Sequence, residues 1–158
     1  MTDQTPTPSQ NDTKRSLTYA TKFGDVHLRE DRLISFPKGL LGPVFQDCTV
    51  FGLSTLPDAD ESPLLVLQCV NRPTYSFLVA DPDTLNLTLD ELDKRQALKE
   101  LGLERADAQF LLIITLYEHG DSYYLTANMR APLVIDSRKR EGYQHILANP
   151  KYTTQQKI

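Results

Sequence analysis

Apolar side chains recur along this chain in short bursts separated by proline, glycine and polar residues, with few stretches at a helical period. Leu64 to Val70 and Thr74 to Ala80 are two such bursts, and the polar, proline-containing Asn71-Arg72-Pro73 between them predicts an antiparallel pair. Phe110 to Tyr117 and Tyr123 to Ala127 flank Glu118-His119-Gly120-Asp121 and predict a second pair. Thr49 to Leu53 and Leu133 to Ile135 are shorter strand candidates, and a last strand is expected near His145 to Leu147. Upstream, apolar positions from Tyr19 to Phe36 surround a turn at Phe23-Gly24-Asp25 and predict short extended segments from about Leu17. Pro37-Lys38-Gly39 and Leu41-Gly42-Pro43 then break the pattern, because proline fixes φ and glycine tolerates positive φ.

One segment reads as a helix. Thr88-Leu89-Asp90-Glu91 has the spacing of a capping box, in which Thr88 and Glu91 would exchange side-chain and amide bonds, and Gly102 is a natural stop. Leu89 and Leu92 are expected to cluster on its apolar face, with Leu98 almost opposite. Many short strands with one short helix predict a mostly β domain. Closure into a barrel or packing as a sandwich would both bury its apolar faces.

Composition narrows this picture. With 158 residues and 40% apolar side chains, the chain suits one domain with a real core. Residues 1 to 16 lack aromatic or branched aliphatic side chains, which predicts a flexible polar tail before a domain spanning 17–158. The start has no basic patch followed by an apolar stretch, and the longest apolar run, Phe110 to Tyr117, is far short of the roughly 20 residues that a spanning helix needs. A cytoplasmic protein without membrane contact is expected. Cys48 and Cys69 sit in apolar surroundings without a CxxC pairing and read as buried thiols. The net charge of −4 hides an asymmetry: Asp81 to Asp107 carries eight acidic and four basic residues, whereas Arg138 to Ile158 carries five basic and one acidic. Two oppositely charged faces follow.

Catalytic patterns are missing. His27, His119 and His145 are far apart, with no HExxH or Cys/His spacing that would hold a metal. Ser137 is not in GxSxG, and Gly39 and Gly42 lack the GK[ST] of a phosphate cradle. The carboxylates of Asp58 to Glu61 and Asp81 to Asp83 read as turn residues rather than a tuned acid and base. Tyr143, Tyr152 and Arg138-Lys139-Arg140 are the best candidates for RNA contact, but they form no repeated stacking platform and the overall charge is acidic. These patterns predict a binding protein, without cofactor or metal, that does not engage nucleic acid directly.

Two separated motifs carry a family resemblance. Thr21-Lys22-Phe23-Gly24 followed by Ile34 to Gly42, and Thr126 to Asp136 followed by Gly142 to Leu147 and Tyr152, resemble the two signatures of the flagellar assembly factor FliW family. Leu67-Gln68 and Phe77 to Pro82 match between them. The resemblance implies a compact antiparallel β-barrel-like domain with a short helical addition. It also implies a cytoplasmic factor that binds flagellin and the translational regulator CsrA, holding CsrA off flagellin messenger RNA until flagellin captures the factor. A flagellin-specific chaperone without CsrA regulation is the alternative. Within the matched motifs, Phe23, Gly24, Phe36, Pro37, Gly39, Gly42 and Pro132 are expected to shape the fold. Gln68, Asn71, Asn128 and Arg130, which can make directional hydrogen bonds from strand or turn positions, are the candidate partner contacts. The chain departs from the family where Pro43-Val44-Phe45 follows Gly42, so that Phe45 is expected to supply the aromatic usually next to that glycine. Its C-terminus lacks the arginine-histidine ending common among members.

Overall fold

The computed structural model describes residues 15–158; the expected flexible tail lies outside them except for Arg15 and Ser16. Those two residues already belong to the fold. Ser16 opens strand β1 (Ser16–Thr21), which pairs antiparallel with β2 (Gly24–Arg29), and Arg15 donates to the Glu30 carboxylate at the far end of this hairpin. The turn between them is at Lys22 and Phe23, one residue earlier than the expected Phe23-Gly24-Asp25, because Gly24 and Asp25 already pair with Thr21 and Ala20 in the ladder.

The remaining strands are β3 (Ile34–Ser35), β4 (Val50–Thr55), β5 (Leu65–Cys69), β6 (Ser76–Ala80), β7 (Ala108–His119), β8 (Ser122–Ala127), β9 (Leu133–Asp136), β10 (Glu141–Gln144) and β11 (Gln156–Lys157). Strands β3, β4, β5, β6, β7, β9 and β10 join edge to edge into a closed ring, while β8 and β11 extend the sheet outward from β7. The expected barrel is therefore formed, with one difference in direction. A ring of seven strands cannot alternate direction all the way round, so at least one neighbouring pair must be parallel. That pair is β10 with β3, joined through Glu141 and Ser35.

Strand alternation builds two apolar layers. Phe36, Phe51, Leu67, Val79, Leu111 and Leu133 point inward and fill the barrel, each with essentially no exposed surface. Val66, Leu78, Leu112 and Val134 point outward into a second layer closed by Val26 of β2, Ala97 and Leu98 of the helix, and Tyr152. Burial on both faces explains why β5 and β7 read as unbroken apolar runs rather than as alternating ones. Gly142 of β10 is fixed by this packing: a Cβ there would lie 2.5 Å from Cζ of Phe36.

Helix α1 (Glu91–Leu101) starts later than the capping box predicts. Asp90 is the N-cap and its carboxylate makes no capping bond; it pairs instead with Lys151. Glu91 turns to Arg105, whose Nε lies 2.9 Å away and whose hydrogen bond holds the carboxyl below the usual range. Tyr152 supplies the cap from a distant part of the chain. Its hydroxyl accepts from the Asp90 amide at 2.8 Å and donates to Oδ2 of Asp93 at 2.6 Å. The apolar face also differs from expectation, since Leu92 is exposed while Ala97 and Leu98 are buried. Gly102 does end the helix, with φ of +72°, and the amide of Leu103 bonds back to Leu98.

The last predicted strand is displaced. Strand β10 occupies Glu141–Gln144, and His145 to Leu147 run on beyond it, where the amides of His145 and Leu147 bond the carbonyls of Pro132 and Arg130.

Candidate partner-binding surface

Strand directions bring the four candidate contact residues to one end of the barrel. Strands β3, β5 and β10 run towards this end, and β4, β6 and β9 leave from it. The 36–49 loop, the 70–75 turn, the 128–132 segment and residues 145–147 therefore converge there. The loop is held on both sides. Asn71 donates to the carbonyl of Asp47 at 2.8 Å and accepts from the amides of Thr49 and Val50. On the other side, Gln144 accepts from the Leu41 amide at 2.8 Å and donates to the Ala131 carbonyl at 3.2 Å.

The residues shaping this end act through the backbone. Gly39 adopts φ of +65° and lies so close to the Gln46 carbonyl that a Cβ would sit 2.3 Å from its oxygen. Gly42 opens the next turn, Phe36 is fully buried, Pro132 is buried, and Pro37 is exposed beside them. Phe45 packs edge-on to Tyr75 and Phe77 with centroids 5.3 Å apart in each case. Phe23 and Gly24 are at the tip of the β1–β2 hairpin.

Of the contact candidates, Gln68 is corrected by its burial. It has no exposed surface, donates to the carbonyls of Cys69 and Pro73, and accepts from Ser76 Oγ, so it braces the β5–β6 turn from within. Asn71 is exposed, yet both ends of its amide serve the loop. Asn128 accepts from the amides of Arg130 and Ala131, forming an Asx turn. Arg130 is exposed, and its guanidinium makes no hydrogen bond or ion pair among the described residues. Three apolar residues at the same end escaped the sequence reading: Leu41, Val44 and Ile146, which are 43%, 56% and 55% exposed. Nothing in their spacing distinguishes them from core residues.

A second open feature lies between β6 and β7. The two strands pair only from Leu78 with Ile114 to Ala80 with Leu112, after which β7 swings away to pair with β8 as far as His119. The Asn128 amide bonds the Ile113 carbonyl, so the backbone of Ile113 faces β8. By alternation, Leu116 and Glu118 turn their N–H and C=O groups to the opposite side, where β6 no longer pairs with β7. A groove of about 490 Å³ fills this split, floored by Phe77, Leu78 and Ile114 and flanked by Lys22 and Glu118. It presents a free strand edge beside apolar surface.

The remaining polar candidates are dispersed. His27 bonds Thr18, His145 lies 2.7 Å from Glu100, and His119 is on the β7–β8 hairpin. Among the described residues no group of three His, Cys, Asp or Glu side chains converges to hold a metal. Cys48 and Cys69 are both free and fully buried, and burial pushes the Cys69 thiol up to about 11. The basic run also divides: Arg138 pairs with Asp107 at 3.4 Å, whereas Arg140 turns inward to the Arg32 carbonyl. No helix of the described residues is long and apolar enough to cross a membrane.

A closed barrel offering a loop-built end and an unpaired strand edge has the features of a macromolecule-binding module. The comparisons narrow that class. The family model described as FliW protein matches residues 18–158. A flagellar assembly factor FliW of Geobacillus kaustophilus is 34% identical over 142 residues, covering 88% of this chain and 93% of the relative. One from Geotalea uraniireducens is 34% identical, covering 85% and 78%. A crystal structure of the flagellar assembly factor FliW superimposes with a TM-score of 0.64 at 31% identity, over 89% of this chain and 96% of that one. This chain belongs to the FliW family, a family of flagellar assembly factors rather than enzymes.

Proposed function

We propose that this chain is a cytoplasmic partner-exchange factor. It binds CsrA while flagellin is scarce, which keeps CsrA from repressing flagellin translation, and it releases CsrA when newly made flagellin captures it. The observation that best supports a role by binding is the split between β6 and β7. There the unpaired backbone of Leu116 and Glu118 stands beside an apolar groove, as required to receive an extended segment of a partner. Asn71, Asn128 and Arg130 are proposed as contacts at the barrel end, with Arg130 the one whose charged group is uncommitted. Exchange needs comparable affinities, because a tenfold difference corresponds to about 1.4 kcal/mol and shifts occupancy accordingly.

The test is a three-component competition between purified flagellin, CsrA and this protein. Binding to each alone and release of CsrA on adding flagellin are the expected results. Flagellin binding without CsrA binding would leave the chaperone and remove the exchange. Leu116→Pro tests the edge itself: it deletes an N–H directed away from β8, so the β7–β8 ladder keeps its hydrogen bonds while strand addition is blocked. Unchanged affinity for both partners in a folded Leu116→Pro variant would rule out the edge as a docking site.

A further inference from the structure

On another side of the barrel, β2, β4 and the β9–β10 turn enclose a half-open cavity of about 440 Å³ whose lining includes His27, Arg29, Arg32, Gln109 and Arg140. No acidic side chain lines it, although the whole chain carries a net charge of −4. The charges within it are unequal in standing. Arg29 is neutralised by Asp31, with bonds of 3.1 and 2.8 Å, leaving Arg32 and Arg140 as two positive groups side by side.

Arg140 is held there at a cost. Its backbone has φ of +55°, in the region that favours glycine, and one guanidinium nitrogen donates to the Arg32 carbonyl. Its Nε is buried and has no hydrogen-bond partner. A buried guanidinium N–H without an acceptor costs more than a neutral one, and a second guanidinium beside it adds like-charge repulsion. Folding alone gives no reason for the pair.

We infer that this cavity is a binding site for a phosphate group, free or on a small phosphomonoester, held between Arg32 and Arg140. A phosphate near neutral pH carries about −1.5 to −2 charges and three acceptor oxygens, so it balances two guanidinium groups, whereas one carboxylate leaves a positive charge uncompensated. The Gln109 amide borders the same space and adds neutral donors. The cavity is concave and, His27 apart, without an aromatic ring. That shape suits a small ligand better than an RNA strand, which would use flat stacking surfaces.

The test is a titration of the ¹⁵N-labelled protein at fixed ionic strength with inorganic phosphate, ribose 5-phosphate, a single-stranded RNA and a polyglutamate peptide. Saturable shifts of the Gly52 and Gln109 amides and of an arginine Nε are expected with either phosphate, at a dissociation constant on the order of 1 mM. Tighter binding of ribose 5-phosphate would assign the site to a phosphomonoester; equal affinity would assign it to the phosphate alone. Arg32→Gln, an exposed change, should weaken binding about tenfold or more. Arg140→Gly keeps the left-handed backbone and should abolish binding, and Arg140→Lys, which keeps the charge but loses the planar fork of donors, should fall between. Arg130→Gln, at the barrel end, should leave it unchanged. Non-saturating shifts, saturation equally strong in Arg32→Gln, or saturable binding only of RNA or the peptide would each overturn the inference.

Discussion

Replacing Tyr152 by Phe removes one oxygen atom and, with it, the cap of the only α-helix among the described residues. The hydroxyl links the Asp90 amide to the Asp93 carboxylate, and the side chain is only 4% exposed. A hydrogen bond to a charged group contributes about 1.5–3 kcal/mol and one between neutral groups about 1. Asp90 is exposed and Asp93 half-buried, and Asn149 also reaches Oδ2 of Asp93 at 3.3 Å, so water and Asn149 recover part of that loss. A net destabilisation of about 2 kcal/mol is expected, or roughly 4–8 °C in Tm for a domain of this size. Urea unfolding followed by circular dichroism measures it. The same variant carries a signature in pH. Burial, and then the bond to Asp93, push the Tyr152 hydroxyl from an ordinary value of 10.0 up to about 12. Because the folded value is the higher one, this contribution is complete below pH 10 and is lost as the pH rises towards 12. The wild-type protein should therefore lose more stability between pH 10 and 12 than Tyr152→Phe does. A change under about 0.5 kcal/mol, with the same alkaline slope in both proteins, would refute the assignment of Tyr152 as the cap.

Gly142→Ala should destabilise by about 1–3 kcal/mol in chemical denaturation, because the new methyl group meets the Phe36 ring inside the barrel; pairing it with Phe36→Leu should recover part of the loss. Asn71→Ala should cost about 1–2 kcal/mol and speed amide exchange at Thr49 and Val50, which lose their shared acceptor. Arg130→Ala should leave stability within about 0.5 kcal/mol while weakening partner binding, as measured by calorimetry with flagellin and CsrA. In the native protein, Cys48 and Cys69 should resist a thiol reagent at pH 8 and react only on unfolding, because both are buried and Cys69 stays protonated.

Much of the barrel was legible because its strands keep simple signals. The β5–β6 pair is visible in two apolar runs around Asn71-Arg72-Pro73, and the β7–β8 pair in the runs around Gly120. Strand β10 was hidden because Glu141-Gly142-Tyr143-Gln144 has no apolar alternation; its inward position is a glycine so that Phe36 can fill the space. Leu147, expected in a strand, lies beyond β10 and packs in the outer layer. The capping box failed through competition, since Arg105 takes Glu91 and Tyr152 takes the Asp90 amide, and neither partner is local. The surface was less legible still. Gln68 and Arg130 are both polar residues near strand ends, and only the folded ring shows that one is sealed within the β5–β6 turn and the other faces solvent.

The odd number of strands in the ring also sets an order of events during synthesis. Its parallel seam joins Ser35 to Glu141, residues roughly 100 positions apart, so the ring stays open until β10 has left the ribosome. Every other neighbour pair in the ring is antiparallel and joins ring strands that follow one another in the chain, with β8 alone intervening between β7 and β9. A nascent chain halted before residue 141 would hold hairpins but no barrel, with the inner faces of β4 to β6 uncovered, and closure would be a late step that waits for β10.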